Sequence, residues 1–342
     1  MQTHGLTRRT LLAAFCLVGV SLAACEKKAE EKSAEPKAGA TDAPAPNDTP
    51  SGKLRVGFSQ IGAESDWRRA NTESIKSEAQ NRGVELIFAD AQQKQENQIK
   101  AIRSFIQQKV DVIAFSPVVE TGWEPVLKEV KESGIPVILT DRAVDVSDPN
   151  LFVTFIGADF VEEGRRAANW VVKATGGKAM VAELQGTPGS APAIDRKRGF
   201  EEVIKSHPEI KIIKSQSGEF TRAKGKEVME TFLKGGDGPR ITVLYAHNDD
   251  MALGAIQAIE EAGKKPGVDI KIVSIDGVRA AFDAMIAGKL NCTVECNPLL
   301  GPQLFDAVEA LAAKKPIEKR IVTKEGVFEQ AQAAEAIKAR QY

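Results

Sequence analysis

Histidine and cysteine are scarce in this chain of 342 residues: three His and four Cys. That leaves little material for a soft-metal site, and no metal or cofactor is expected. Neither sign of charge dominates, with 46 Lys+Arg against 47 Asp+Glu and a formal net charge of −1. Nucleic-acid binders usually show a strong basic excess, so that class is disfavoured. Enzyme signatures are missing too: there is no G-x-S-x-G elbow, P-loop, HExxH or CxxC. The longest N-terminal apolar run, Leu11 to Ala24, has 14 residues, short of the ~20 that a membrane-spanning helix needs. What remains is ordinary for a globular protein, 42% hydrophobic and 27% charged, and the length suggests about two domains.

The N-terminus looks like an export signal. Arg8 and Arg9 precede the apolar run, which ends Leu22-Ala23-Ala24-Cys25. That ending resembles a bacterial lipobox, where small residues fit the peptidase and the cysteine thiol receives lipid. We expect residues 1–24 to be removed and Cys25 to be acylated. Thr7-Arg8-Arg9-Thr10-Leu11-Leu12 also resembles a twin-arginine signal, although paired arginines are common in ordinary signals. Loss of two Arg and no acid takes the formal charge from −1 to near −3. Residues 26–52 contain no Val, Ile, Leu, Met or aromatic residue. Such a segment cannot bury enough surface to fold. We expect 25–52 to be a tether, reaching roughly 30 Å if flexible.

Cys292 and Cys296 then remain. They lie in a strand-like run, Asn291 to Cys296, and an extended chain holds residues four apart at ~13 Å, beyond disulfide reach. Free, buried thiols are expected.

From residue 53 the chain alternates short apolar runs with amphipathic stretches. The runs are 54–59, 84–89, 110–116, 136–140, 152–157, 179–184, 210–215, 241–246, 270–275 and 293–295. Gln92 to Gln108, with Ile99, Ile102, Phe105 and Ile106 on one face, typifies the stretches between them. This predicts an α/β fold with parallel sheets covered by helices on both sides. Ten strands divide best into two doubly wound sheets. The pattern restarts near 158, where Asp159 caps a helix expected over 161–175.

In open α/β sheets ligands bind beyond the carboxyl ends of the strands. Those ends carry Glu64-Ser65-Asp66-Trp67-Arg68, Asp141-Arg142, Asn248-Asp249-Asp250 and Asp276-Gly277; Arg196 and Phe220 lie in two further polar segments. Carboxylates, guanidinium groups and amides mixed with rings suit a polyhydroxylated sugar. Hydroxyls donate to carboxylates and accept from Arg or Asn, while C–H faces rest on aromatic rings. A glycosidase could be drawn from Asp141, Asp249 and Asp276. However, Arg142 and Arg196 would hold such acids ionised, whereas a general acid needs a raised pKa. Trp123, Trp170 and His247 are assigned to packing.

The order Asp141-Arg142, Arg196, Phe220, Asn248-Asp249, Asp276-Gly277 resembles the ribose-type (type I) periplasmic sugar-binding proteins of ABC importers. Longer runs are similar to their galactofuranose-binding branch: Gln92 to Lys100, Thr121 to Glu129, Ser215 to Gly218 and Tyr245 to Met251. The resemblance covers almost all of 53–342. It implies two lobes joined by a three-crossover hinge, near 157, 296 and 322. The first lobe would be 53–157 with 297–321, the second 158–296 with 322–342. It implies that Glu64, Ser65, Trp67, Arg68, Asp141 and Arg142 hold a monosaccharide from the first lobe. Arg196, Phe220, Asn248 and Asp276 would hold it from the second. Cys296 departs from the pattern, standing where ribose binders carry a polar amide. The expected partners are the permease and ATPase subunits of an importer, with the protein a monomer that meets membrane only through its lipid. Another pentose or hexose, or delivery to a chemoreceptor, is the alternative; a glycoside-processing enzyme is the remote one. A transcriptional repressor core shares this fold, but DNA-binding helices would have to precede residue 53, where the lipobox and tether stand.

Overall fold

The computed structural model describes residues 52–342. The expected signal, the lipidation site Cys25 and the tether up to residue 51 lie outside the described residues.

The first sheet is built from β1 (Arg55–Gln60), β2 (Glu85–Asp90), β3 (Val112–Phe115), β4 (Val137–Thr140) and β5 (Thr154–Gly157). Helices α1 (Asp66–Asn81), α2 (Gln95–Gln107) and α3 (Glu124–Glu132) connect the first four strands. All strand pairs are parallel, and β1 lies between β2 and β3. Apart from the edge strand β2, the strands are almost wholly buried, so they read as apolar runs rather than alternating ones. Val56, Phe58, Val112, Ala114 and Ile138 pack against Ile75 and Ala79 of α1 on one face. Ile113, Phe115 and Leu139 pack against Ile102, Phe105, Trp123 and Leu127 on the other.

The chain then leaves this sheet. Helix α4 (Phe160–Thr175) follows, and the second sheet is built from β6 (Ala179–Gln185), β7 (Ile210–Ser217), β8 (Val243–Ala246), β9 (Lys271–Asp276) and β10 (Cys292–Glu295). Its connecting helices are α5 (Ala191–Ile204), α6 (Arg222–Lys234), α7 (Asp249–Glu261) and α8 (Arg279–Ile286). These strands are again parallel, with β6 between β7 and β8. The chain returns through α9 (Gly301–Ala312) to β11 (Arg320–Val322), which extends the first sheet beside β5. It crosses once more to β12 (Val327–Glu329), antiparallel to β10.

The sheet orders are therefore β11-β5-β4-β3-β1-β2 and β12-β10-β9-β8-β6-β7. In each, the strand order reverses beside the first strand, the switch point where open α/β sheets bind ligands. The fold is the two-sheet α/β architecture expected. Asp159 caps α4 as predicted, accepting the Glu162 N–H at 3.0 Å, and Gly176 ends it with φ 62°. Two strands escaped the sequence pattern. β11 and β12 are three residues each, half-exposed, and flanked by charged residues; neither length nor burial leaves a periodic signal. Helix α2 starts at Gln95 rather than Gln92, because Gln92 and Gln93 adopt positive φ in the turn before it.

Candidate functional site

All ten residues predicted to touch a ligand line one cavity: Glu64, Ser65, Trp67, Arg68, Asp141, Arg142, Arg196, Phe220, Asn248 and Asp276. Pro192 and Cys296 complete the lining. Pro192, in the first turn of α5, carries no polar signal. Cys296, which stands where the resemblance has a polar amide, does reach the cavity wall.

On the first-sheet side, the β1–α1 loop brings Glu64 and Ser65 to the strand ends. Ser65 caps α1, its hydroxyl accepting the Arg68 N–H at 3.1 Å. Arg68 is the hub. Its Nε donates to Glu64 Oε1 at 3.1 Å and its Nη2 to Asp141 Oδ2 at 2.7 Å. Burial opposes its charge, but Asp141 and Glu64 outweigh that and raise the guanidinium pKa. Ser116 adds a hydroxyl donor to Asp141 Oδ2 at 3.0 Å. Asp141 has φ 62°, a left-handed conformation that non-glycine residues rarely adopt. Arg142 donates to the Val118 carbonyl at 3.0 Å, while its buried Nε lacks a partner among the described residues. Burial, together with the charges of Arg68 and Arg196, pushes its pKa down to about 10. Glu64 Oε2 is likewise buried and unpartnered.

On the second-sheet side, Arg196 reaches out of α5. Its Nε donates to Glu163 Oε2 at 2.7 Å and its Nη1 to the His247 carbonyl at 2.5 Å. Its Nη2 lies 3.7 Å from Asp276 Oδ1. Asp276 ends β9 with φ 129°, and its carboxylate accepts no hydrogen bond from the described residues. Burial, followed by the nearby carboxylates, holds it well above the ordinary carboxylate range against the pull of Arg196, so the arginines do not hold this acid ionised, contrary to the expectation from sequence. The Phe220 ring lies 5.3 Å from the Arg142 guanidinium and 5.9 Å from that of Arg196. It fits only because residue 186 is glycine: a Cβ there would collide with the ring. Asn248 caps α7, accepting the Met251 N–H at 3.0 Å, and donates to the Phe220 carbonyl at 3.1 Å. Part of its hydrogen-bonding capacity is thus spent locally, leaving one amide hydrogen and one lone pair.

Two residues join the sides. The Trp67 indole N–H donates to the Cys296 carbonyl at 2.6 Å. Trp67 thereby fixes its ring at the cavity wall against the second crossover. Cys292 and Cys296 are free and buried, as expected from their spacing. Glu163, Cys296 and Glu325 bring ligand-type atoms within 4.8 Å of one another behind the cavity. Arg196 already occupies Glu163, Asn297 N–H and the Thr323 hydroxyl already serve Glu325, and burial pushes Glu325 up to about 9. The group is therefore a hydrogen-bonded hinge cluster.

Asp249, which a glycosidase reading would use, is not on the cavity. It sits beneath the β9–α8 turn and accepts from Gly277 N–H at 2.7 Å, Val278 N–H at 2.9 Å, Thr293 Oγ1 at 2.9 Å and the Ser274 hydroxyl. It holds Asp276 in place. His247 is buried against Glu183, 3.1 Å away, with its ring tilted against Tyr245, and offers no catalytic dyad with a nucleophile.

The lining contains three carboxylates, one of them held well above the ordinary range, and three guanidinium groups. Two open α/β sheets facing each other across such a cavity, linked by three crossovers, define a solute-binding protein of the hinged two-lobe class. The chain belongs to the periplasmic binding protein domain family, whose model matches residues 56–337. It is 58% identical over 258 residues to a galactofuranose-binding protein of Escherichia coli, covering 75% of this chain and 81% of that one. It is 55% identical to the binding protein of an arabinose ABC transporter from Shewanella, solved with α- and β-L-arabinofuranose. That structure has a TM-score of 0.82, with 84% of this chain and 96% of that one covered. A Mycobacterium smegmatis structure in complex with β-D-fucofuranose is 58% identical, with a TM-score of 0.82 and coverages of 84% and 95%. The chain is a sugar-binding component of ABC import, not an enzyme.

Proposed function

We propose that this protein captures a neutral furanose, galactofuranose best, and hands it to an ABC importer. The observation that carries this reading is the convergence of three carboxylates, three guanidinium groups and two aromatic rings on one small cavity. Carboxylates that accept and guanidinium groups that donate suit the hydroxyls of an uncharged sugar, each of which can do both. Glu64 Oε2, Arg142 Nε and the Asp276 carboxylate have unused hydrogen-bonding capacity facing that ligand. Trp67 and Phe220 offer the C–H faces a surface. The names of the three relatives support the ring form, because each sugar in them is a furanose.

The two lobes are 53–157 with 297–321, and 158–296 with 322–342. They close on the sugar by hinge motion about the three crossovers, and ligand contacts to both sides favour the closed form. The mature chain is held at the membrane surface through lipid on Cys25, acts as a monomer, and meets the permease and ATPase subunits of its importer in the closed form. The Leu22-Ala23-Ala24-Cys25 ending supports the anchor.

A thermal-shift panel tests the reading. L-Arabinose, D-galactose and D-fucose solutions, all of which contain furanose forms, should stabilise the protein, by about 4 kcal/mol at a thousandfold excess over Kd. Stabilisation by ribose or glucose alone would point to another pentose or hexose. Consumption of a glycoside would overturn the binding-protein reading.

A further inference from the structure

Outside the cavity, at its rim, three helix N-termini converge. Asp66 opens α1, Arg222 opens α6, and Asp250 lies in the first turn of α7. The Asp66 backbone N–H donates to Asp250 Oδ2 at 2.7 Å. That N–H is one of the orphan donors at the start of a helix, and it is satisfied by a side chain of the opposite lobe. Arg222 completes the junction. Its Nη2 lies 3.0 Å from Asp66 Oδ2 and 2.9 Å from Asp250 Oδ1, so one nitrogen bridges carboxylates of the two lobes. Its Nε reaches Asp250 Oδ1 at 3.1 Å. None of the three residues lines the cavity.

We propose that Asp250 and Arg222 form a closure latch that docks the first turn of α1 and so positions the ligand-facing residues it carries. Trp67 and Arg68 are the next residues of that turn, with Glu64 and Ser65 just before it. A lobe that swings open pulls the Asp66 N–H away from Asp250 and leaves Arg222 with one carboxylate. The latch therefore forms after the sugar has entered, and it acts on release rather than capture. Asp250 is buried and Arg222 half-exposed, so the Arg222 bridge is screened by salt while the Asp250 cap is largely not. The two residues are positioning residues, and they touch no sugar. Their action on affinity rests on the furanose-binding reading; their contact across the rim does not.

The test measures association and dissociation rates for L-arabinose at low and high NaCl. The full chain would be used, with Asp250→Ala, Asp250→Asn and Arg222→Ala variants. Asp250→Ala should weaken binding about 5–30-fold, nearly all in the dissociation rate. Asp250→Asn can still accept the Asp66 N–H and should recover part of that loss. Arg222→Ala should cost about 2–5-fold at low salt and nothing at high salt. A general folding defect would instead lower the melting temperature of the unliganded variants, which the latch leaves unchanged. Wild-type dissociation rates and salt dependence in Asp250→Ala and Arg222→Ala would overturn the proposal. A second arm needs no binding readout: Asp66→Cys with Asp250→Cys should cross-link on mild oxidation, slowly in the free protein as it samples closed forms and faster with L-arabinose present. If wild type binds no furanose yet the pair cross-links, the sugar reading fails and the rim contact stands. If wild type binds but the pair never cross-links, the latch fails and the sugar reading stands.

Discussion

Arg68 Nη2 and Asp141 Oδ2 meet at 2.7 Å, both side chains almost wholly buried, and tie the start of α1 to the end of β4. The two residues are 73 apart in sequence. It explains how a carboxylate and a guanidinium group can line a dry cavity: each neutralises the other, and Glu64 and Ser116 take up remaining bonding capacity. Asp141→Asn keeps the shape but removes the charge. It should weaken sugar binding about 10–150-fold, as expected for loss of a charge-assisted hydrogen bond of ~1.5–3 kcal/mol. Isothermal titration calorimetry checks this, and an unchanged Kd would remove Asp141 from the site.

Asp276→Asn should give a comparable loss of affinity without destabilising the unliganded protein. In the native state burial disfavours the ionised carboxyl, so its pKa lies above the unfolded value. Such a group costs stability increasingly as pH rises above ~4, the unfolded aspartate value. The asparagine variant has no such cost. Urea unfolding at pH 7 should therefore find Asp276→Asn as stable as wild type or more so, while calorimetry finds it a poorer binder. A variant that binds like wild type would show that the second sheet's strand ends do not hold the sugar.

Much of this was legible because function sits at strand ends. A buried strand is a run of apolar residues, and Asp141-Arg142 or Asp276-Gly277 directly after one stands out against it. The same logic could not see what lines the cavity without polarity. Pro192 opens a helix and was not seen at all, whereas Cys296 was singled out only through the family resemblance and contributes its carbonyl more than its thiol. Asp249 was visible as a residue but not as a role: it is adjacent to Asn248 in sequence, yet faces down into the β9–α8 turn. β11 and β12 were missed because a three-residue edge strand is specified by its neighbours, not by its own pattern.

Cys292 and Cys296 supply a reactivity test. Burial pushes both thiols up, with Glu329 adding to Cys292 and Glu163 and Glu325 to Cys296. The thiolate is the reactive form. Protein lacking residues 1–51 should show almost no reaction with a thiol reagent at pH 8 when native, and two thiols per chain in guanidinium chloride. Rapid reaction of the native protein would mean that the second crossover opens to solvent.

The mouth of the cleft away from the latch carries like charges. The Glu120 N–H donates to the Gly189 carbonyl at 2.9 Å, so the two sheets' loops meet there. Burial raises the Glu120 carboxyl, and Asp195 of α5 and Asp145 raise it further. Closure thus presses two partly buried carboxylates towards one another. Glu120→Gln removes that repulsion without touching the cavity. It should tighten sugar binding about 2–5-fold at neutral pH and low salt, with the gain fading as salt screens it. A Kd that does not change would show that the repulsion is absorbed by Arg198, which pairs with Asp195 at 2.8 Å.

Acid stability should turn on Glu183. Burial alone would raise this carboxyl, but the His247 hydrogen bond, the Ser215 hydroxyl and Lys197 hold it down at about 2. His247 itself is kept from protonating mainly by burial, so the pair is best described as a carboxylate accepting from a neutral imidazole N–H. The folded pKa lies below the unfolded glutamate value of ~4.3. The stabilisation is therefore complete above about pH 4.3 and lost as pH falls through 2. Urea unfolding at pH 7, 5, 4 and 3 should show wild type losing stability between the last two steps. Glu183→Gln should be less stable at pH 7 and show a much shallower acid limb. A parallel acid limb in that variant would assign the loss to other carboxylates and leave Glu183 without its stabilising role.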